Sequence, residues 1–437
     1  EGNLLFYTNG CWIANAEHEL MLNGDNINPG VAHDALCDNS GYTSKDGALI
    51  LPMPEHDSLY YLFHYTELLT DTFDGAKGLY YTLVNMNLDG GLGGVVEKNQ
   101  PVYDDWVWNE ELQAVRHANN RDWWILTQKR PYNTYLRYLL TPNGIEGPWE
   151  QDIGPIPPNN ESGSGQTRFS PDGTKYARYL FWQQVLLYDF DRETGLLSNM
   201  QHYTAVDEGF AGSGLAFSPS SRFLYVNNGD TIWQFDLQVE DIQASRTVVA
   251  VFDGYSVGGT GIFFPRFANM QLGPDCRIYI SAATSAYSLH VINFPDEKGP
   301  ACDVVQRGID LYFINQVTLP NFPNYRLGTG YAVCDSSLHS VAVSARPIAP
   351  PRGGLGVWPN PARDVLQVSL PPGISSGAEL RLYDATGRVL RQWPAEHSAS
   401  VQQLSLGGLP PGLYVLQLQD AERGLRLAEK VVRGDER

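Results

Sequence analysis

The sequence predicts an all-β protein: a β-propeller, with seven blades favoured over six, followed by a small immunoglobulin-like β-sandwich. Three observations carry this. Strand–turn–strand units recur at the spacing of propeller blades over residues 1–340. A Pro-rich linker, residues 341–352, then breaks the pattern. The final 85 residues, from Gly353 onward, hold short alternating strands between Gly and Pro turns. A chain of 437 residues is long enough for two or three domains and a large core.

The units follow in chain order. Glu1 to Gly10 and Cys11 to Asn15 read as a blade entered midway. Ala48–Met53, Ser58–Phe63 and Gly78–Met86 form the next. Leu112–His117, Asp122–Thr127 and Thr134–Leu140 form a third. Ser170-Pro-Asp-Gly leads to Tyr176–Leu180 and Val185–Asp191; Ser218-Pro-Ser-Ser leads to Phe223–Val226 and Thr231–Leu237. These two starts lie 48 residues apart, and Gly273-Pro274 follows 55 later, leading to Ile278–Ile280 and Ser288–Phe294. Each unit alone exposes apolar faces that only radial stacking would bury. Six blades are recognisable; Leu311 to Ala345, or residues before Glu1, could complete a seventh.

In the C-terminal module Val365–Leu370 and Leu380–Tyr383 alternate with period two, and Asp384-Ala-Thr-Gly387 turns the chain into Arg388–Arg391 as a hairpin. Leu413–Leu418 and Leu425–Val432 close the sandwich. Four motifs fall in order: Pro359-Asn360-Pro361, Tyr383 to Leu390 around Gly387, Leu409-Pro-Pro-Gly412-Leu-Tyr414, and the basic-apolar Lys430-Val431-Val432-Arg433. In this order they resemble the C-terminal sorting domain of cargo of the type IX secretion system of Bacteroidetes. The departure is the tail Gly434–Arg437, since many members stop almost at once. The resemblance implies a signal recognised by the outer-membrane translocon and its shuttle protein. The cargo would cross the periplasm and outer membrane to be secreted or displayed on the cell surface, with the label often removed.

Charge divides the chain at the same place. From Gly353 on there are nine basic and nine acidic residues, so residues 1–352 hold 21 and 40 and carry the whole net charge of −19. Such a body repels nucleic acid and anionic membrane. No apolar run reaches the ~20 residues of a membrane helix. The chain opens on Glu1 without a leader, as expected of a processed exported protein or of a fragment. Five cysteines lack Cys-x-x-Cys spacing, so two disulfides and one odd thiol are expected rather than a metal site. Their pairing stays open; Cys11–Cys37 and Cys276–Cys302 are preferred because each pair lies 26 residues apart.

The body carries a second resemblance. Asn3–Gly10, Gly78–Gly93 and Ala114–Trp124, in that order, are similar to large surface propeller proteins associated with gliding motility. That resemblance covers roughly residues 1–340 and implies location and fold, and no chemistry.

Candidate chemistry is sparse. Asp189-Phe-Asp-Arg-Glu-Thr-Gly195 has half a calcium loop's carboxylates but Thr194 and Met200 where such a loop needs Gly and Glu, so it reads as a strand end and turn. Ser170-Pro-Asp-Gly reads as a propeller turn. His33, His56 and His64 read as scattered loop and strand residues, with no pair four apart on a helix. No Gly-x-Ser-x-Gly elbow occurs; Ser162–Gly165 reads as a flexible connection, and Gly90–Gly94 and Gly258–Gly261 lack a phosphate-loop lysine. The positive hint is aromatic. Trp106 and Trp108 alternate beside Asp104 and Asp105, an arrangement that could stack sugars and accept their hydrogen bonds; packing between blades is the competing account. Trp123 and Trp124 must point to opposite faces of a strand, so at least one belongs to the core.

The expectation is therefore a secreted or surface cargo. Its propeller acts as a binding, adhesion or structural scaffold, with surface glycan or lipopolysaccharide as the further partner. No catalytic residue, metal or cofactor is assigned. The alternative is an extracellular glycan- or peptide-processing hydrolase with its site at the propeller mouth. A third reading is a component that works only inside a surface assembly.

Overall fold

A computed structural model describes residues 4–38, 41–42, 44–70, 73–108, 111–156, 165–180, 184–205, 214–257, 262–315, 317–340, 355–358, 362, 364–371, 373–384, 388–396, 401–420, 423 and 425–433. The chain divides into two compact units, Glu1–Ala342 and Val343–Arg437. The expected linker, residues 341–352, lies outside the described residues.

The first unit opens with a two-stranded sheet, β1 (Phe6–Thr8) and β2 (Ile13–Asn15), and a short helix, α1 (Val31–Leu36). Five four-stranded sheets follow. They are β3 (Ala48–Pro52) to β6 (Gly94–Val107) through β4 (Leu59–Thr70) and β5 (Phe73–Asn85); β7 (Gln113–Arg116), β8 (Trp123–Gln128), β9 (Thr134–Thr141) and β10 (Gly144–Asp152); β11 (Thr167–Phe169), β12 (Lys175–Leu180), β13 (Gln184–Asp191) and β14 (Leu196–Thr204); β15 (Gly214–Phe217), β16 (Phe223–Asn227), β17 (Thr231–Asp236) and β18 (Thr247–Val251); and β19 (Phe267–Leu272), β20 (Ile278–Ala282), β21 (Ala286–Ile292) and β22 (Val304–Asn315). Each is an antiparallel meander in sequence order, and β7, β11, β15 and β19 lie against one another in turn. This is a propeller, with first strands at the axis and fourth strands at the rim.

Its core is the set of interfaces between neighbouring sheets. Trp123 packs with Leu49, Phe63 and Tyr65 on one face of β8, while Trp124 packs with Tyr176, Leu186 and Tyr188 on the other. Successive residues on a strand point to opposite faces, so a sheet sandwiched between two others must be apolar on both. That is why β8 is buried at all six positions and β16 at all five. Further clusters join β11–β14 to β15–β18, β15–β18 to β19–β22, and the N-terminal segment to β3–β6.

The first hairpin turn of each sheet contains a residue in the left-handed region: Glu55, Asn120, Gly173, Ser221 and Cys276, with φ of +61°, +59°, +73°, +62° and +69°. In Ser170-Pro-Asp-Gly the turn is closed by side chains, Ser170 Oγ donating to Asp172 Oδ1 at 2.6 Å and Thr174 N donating to the same oxygen at 3.0 Å. This is the repeat read in the sequence, and it is structural. Five complete sheets and the two-stranded one account for the six units. A seventh is not formed among the described residues: Leu311–Asn315 finish β22, and residues 317–340 contain no strand. That segment lacks alternation and is instead held by side-chain hydrogen bonds to the other sheets.

The second unit is a sandwich of a three-stranded sheet, β23 (Gly356–Trp358), β24 (Val365–Ser369) and β27 (Val401–Ser405), and a four-stranded one in the order β26 (Val389–Pro394), β25 (Glu379–Asp384), β28 (Gly412–Asp420), β29 (Leu425–Arg433). Leu366, Val368, Leu380, Leu382, Leu404, Leu416 and Leu418 fill the space between.

Candidate functional site

The axis of the propeller carries a cavity of about 170 Å³. It is lined by the first strands of four sheets through Ala114, Arg168, Phe217 and Leu272, and it is covered by Phe322–Leu327. The cover is part of a strap, residues 317–335, that crosses the mouth over the hairpin turns. Asn321 donates to the Leu112 carbonyl (2.8 Å) and accepts from Gln113 (3.2 Å). Asn324 donates to the Pro171 carbonyl (2.8 Å), and Tyr325 Oη to that of Ile50 (2.6 Å). Arg116 donates to the Tyr325 carbonyl (3.2 Å) while its guanidinium lies 4.2 Å from the Trp123 ring centroid. Burial, with Arg192 nearby, lowers the Arg116 pKa below its ordinary value.

Both ends of the strap are tied to the last sheet. Ser281 Oγ donates to the Val317 carbonyl, and Val317 has φ of +65°, a costly conformation for a β-branched residue. At the far end Cys334 is disulfide-bonded to Cys276, and Asp335 N donates to the Pro274 carbonyl (2.9 Å). The Cys11–Cys37 disulfide matches the preferred pairing. The Cys276–Cys302 preference is corrected: Cys302 is buried between β15–β18 and β19–β22 as a free thiol, pushed up to about 11 chiefly by burial.

Beneath the strap the charges neutralise one another. Arg168 meets Asp46 through two bonds, of 2.6 and 3.1 Å, and the Asp46 side chain is fully buried. Gln166 donates to the same carboxylate (3.3 Å) and accepts from Met270 N (2.6 Å) and Leu215 N (3.2 Å), knitting β15 and β19 to the axis. The approach is close: a Cβ on Gly214 would lie 2.0 Å from the Ala268 carbonyl oxygen, and one on Gly165 would lie 1.6 Å from that of Tyr179. Gly165 is thus a packing glycine, not the flexible connection expected; Ser162–Ser164 lie outside the described residues. Glu111 and Arg178 form a second buried pair (2.5 Å). Two buried polar atoms on cavity-lining residues, Arg168 Nε and Gln271 Oε1, have no hydrogen-bond partner among the described residues. Among the described residues no three His, Cys, Asp or Glu side chains gather as a metal site would.

Trp106 and Trp108 do not share an open face. Trp108 is wholly buried, with the Arg130 guanidinium 4.5 Å from its centroid. The reason is local: at Val107 the chain leaves β5 and bridges to Lys129, and Trp108 N donates to the Gln128 carbonyl (3.0 Å), which breaks the alternation. Trp106 remains half-buried beside exposed Asp104 and Asp105, and Asp105 Oδ1 accepts from Trp106 N (2.8 Å).

The histidines stay apart. His33 lies on α1, a helix not anticipated, and His56 is exposed. His64 is buried on β4 between Asn28 Oδ1 (2.6 Å) and Thr82 Oγ1 (3.0 Å), and burial pushes its pKa down to about 3. Asp191 Oδ1 accepts from Glu193 N (2.8 Å) and Asp189 pairs with Lys175, so both carboxylates serve a hairpin end. Gly258–Gly261 lie outside the described residues, and Gly90–Gly93 lie in the turn between β5 and β6, which Gly94 begins.

In the sandwich the motif residues divide. Leu409 packs against the core; Tyr414 is inside it, its hydroxyl donating to the Pro410 carbonyl (2.5 Å). Val431 is buried, and Arg433, also buried, pairs with Asp364 (2.9 Å). Tyr383, Gly412, Lys430 and Val432 lie partly or fully in solvent. Pro359, Asn360, Pro361 and Gly387 lie outside the described residues.

Residues 356–432 match the family described as secretion system C-terminal sorting domain. The C-terminal unit is a sorting domain. The chain that bears it is cargo of the type IX secretion system, exported to the cell surface or the medium and handled by that system's machinery. No helix among the described residues is long and apolar enough to cross a membrane. A comparison with curated proteins finds no match. Among solved structures, a Bacteroides uniformis protein provisionally named a 6-phosphogluconolactonase is similar at 13% identity, with 92% of this chain and 98% of that one covered and a TM-score of 0.41. A Lactobacillus plantarum protein is similar at 12% identity, with 90% and 94% covered and a TM-score of 0.38. The propeller assignment stands on its own sheet topology.

The strap, the buried Asp46–Arg168 pair and the Cys276–Cys334 bond escaped the sequence reading.

Proposed function

We propose that the propeller is a binding or structural body, delivered by the sorting domain to the outer surface and acting there as a display scaffold. Membership in a gliding-associated surface assembly of a Bacteroidetes cell belongs to the same proposal. The observation that carries it is the strap. The mouth, where propellers commonly keep a catalytic site, is covered by the chain's own residues 322–327, and its buried cation is neutralised by Asp46. Such a site offers a hydrolase no free acid–base pair. Recognition then falls to the outer surface, with Trp106, Asp104 and Asp105 as one contact for surface glycan or lipopolysaccharide.

The test uses the purified full chain on a glycan array and against a panel of chromogenic glycoside and peptide substrates. Binding without turnover is expected, weakened at least tenfold by Trp106→Ala. Turnover that disappears in Asp46→Asn would overturn the scaffold reading. Unchanged binding in Trp106→Ala would remove that residue from the contact.

A further inference from the structure

The solvent face of the sheet β26–β25–β28–β29 is not uniform. In register, Val389 pairs with Tyr383, Tyr383 with Val415, and Val415 with Lys430; beside this row Leu413 pairs with Val432. Directly opposed residues share a face, so these six side chains form one continuous band across four strands. Val389, Leu413 and Val415 are 45%, 49% and 39% exposed. The next row on the same face, Gln392, Arg381, Gln417 and Ala428, contains no large apolar residue. The apolar character therefore belongs to one end of the sheet and does not follow from strand propensity, which would spread it along the strands. The other sheet differs: its exposed Val365 and Val401 stand singly, each opposite a serine.

The band is also where the motifs meet. Tyr383 comes from the hairpin motif, Leu413 from the stretch ending at Tyr414, and Lys430 and Val432 from the terminal strand. They lie far apart in sequence and are brought together by pairing alone. The fold does not need them apolar, because the core of the sandwich is on the opposite face. A contiguous apolar patch with a charged rim marks a protein-binding surface.

We propose that this band is the docking surface of the sorting domain. Its occupant is a receptor protein of the type IX machinery that presents an apolar patch of its own. The proposal rests on the assignment of this unit as a sorting domain, whose task requires such a receptor. Apolar burial supplies the hold.

The experiment is export of the full chain from a type IX-competent bacterium, with surface, medium and periplasmic fractions measured. The triple variant Val389→Thr, Leu413→Thr, Val415→Thr keeps β-favouring residues on the sheet and removes the patch. Surface and secreted protein should fall at least tenfold, with folded cargo accumulating in the periplasm and the thermal midpoint of the purified protein kept within about 3 °C. The control Gln392→Thr, Arg426→Thr, Ala428→Thr, on the polar end of the same face, should be exported as wild type. Normal export of the first triple would overturn the docking surface, as would equal retention of both triples. A lowered midpoint would assign the band to internal packing, and a dimer dissolved by the triple with export intact would assign it to self-association; either overturns the proposal. Deleting Gly353–Arg437 separates the two levels. If the deletion is trapped while the apolar triple is exported, only the surface falls; if the deletion is exported, the sorting assignment itself falls.

Discussion

In the propeller, Trp123 and Trp124 point into cores between sheets and Trp108 is buried against the Arg130 and Arg178 guanidinium groups, whereas in the sandwich Tyr383, Val389, Leu413 and Val415 remain on a solvent face. The contrast comes from geometry. A propeller sheet has neighbours on both faces, so its aromatics have a structural reason to exist. A sandwich sheet has one inner face, so large apolar groups on the other face need a different reason. Where structure explains a residue, chemistry need not; where it does not, a partner is the remaining account.

The hardest blow to that contrast is struck at the axis. Asp46→Ala leaves the Arg168 guanidinium buried without its carboxylate, and breaking a buried pair in this way costs about 3–5 kcal/mol. Urea unfolding of the propeller should show a loss of that size. A loss below about 1 kcal/mol would mean that the pair is effectively solvated and the mouth open.

Acidification comes next. His64 is depressed to about 3 and His290 to about 4, both chiefly by burial, from an ordinary 6.5. Both stay neutral in the folded protein at pH 5 while the unfolded chain takes up their protons. Stability is therefore full above about pH 6.5 and falls as pH drops towards the folded values. Between pH 7 and 5 each histidine removes roughly 2 kcal/mol. Unfolding free energies across that window should slope accordingly, and the slope should flatten in His64→Gln, His290→Gln; an unchanged slope would place the titration elsewhere. The sandwich supplies no such histidine among its described residues.

These two devices mark the limit of what the sequence reveals. The repeat of Ser170-Pro, Ser218-Pro and Gly273-Pro was legible because local turn chemistry recurs at one position in each sheet. Trp123 and Trp124 were legible because strand alternation is local too. Asp46 and Arg168 are 122 residues apart, and Asn321 and Leu112 are 209 apart, so neither contact leaves a periodic trace. Trp108 was misjudged because alternation stops one residue earlier, at Val107, where the chain crosses to the next sheet. In the sandwich the motifs were legible as words, but their convergence into one band needed the register.

Third in size is the strap. It has no regular secondary structure before Ser336, and side-chain bonds to distant carbonyls hold it, each worth about 1 kcal/mol net. Cys334→Ser removes the bond that closes it and should cost the propeller about 2–4 kcal/mol. Trypsin should then cut after Arg326 before it cuts the sheets, as read by mass spectrometry of timed digests. A strap that resists as in the wild type would show that its hydrogen bonds suffice and that the disulfide is incidental to the covered mouth.

The smallest effect on stability tests the sandwich side of the contrast most sharply. Gly412 begins β28 opposite Arg433, its φ is not positive, and a Cβ there would come no closer than 3.9 Å to any neighbour, the Tyr414 hydroxyl oxygen. Neither backbone conformation nor space requires glycine, unlike Gly214 at the axis. Gly412→Ala should therefore leave stability unchanged or raise it by up to about 1 kcal/mol, because alanine restricts the unfolded chain. Export is expected to fall all the same, since Gly412 adjoins Leu413 at the end of the apolar band, where a bare backbone lets a partner approach closely. A stable variant exported at the wild-type rate would detach Gly412 from recognition and leave the band to act through its side chains alone. A destabilised variant would instead bring Gly412 into the same class as the propeller glycines, fixed by the fold.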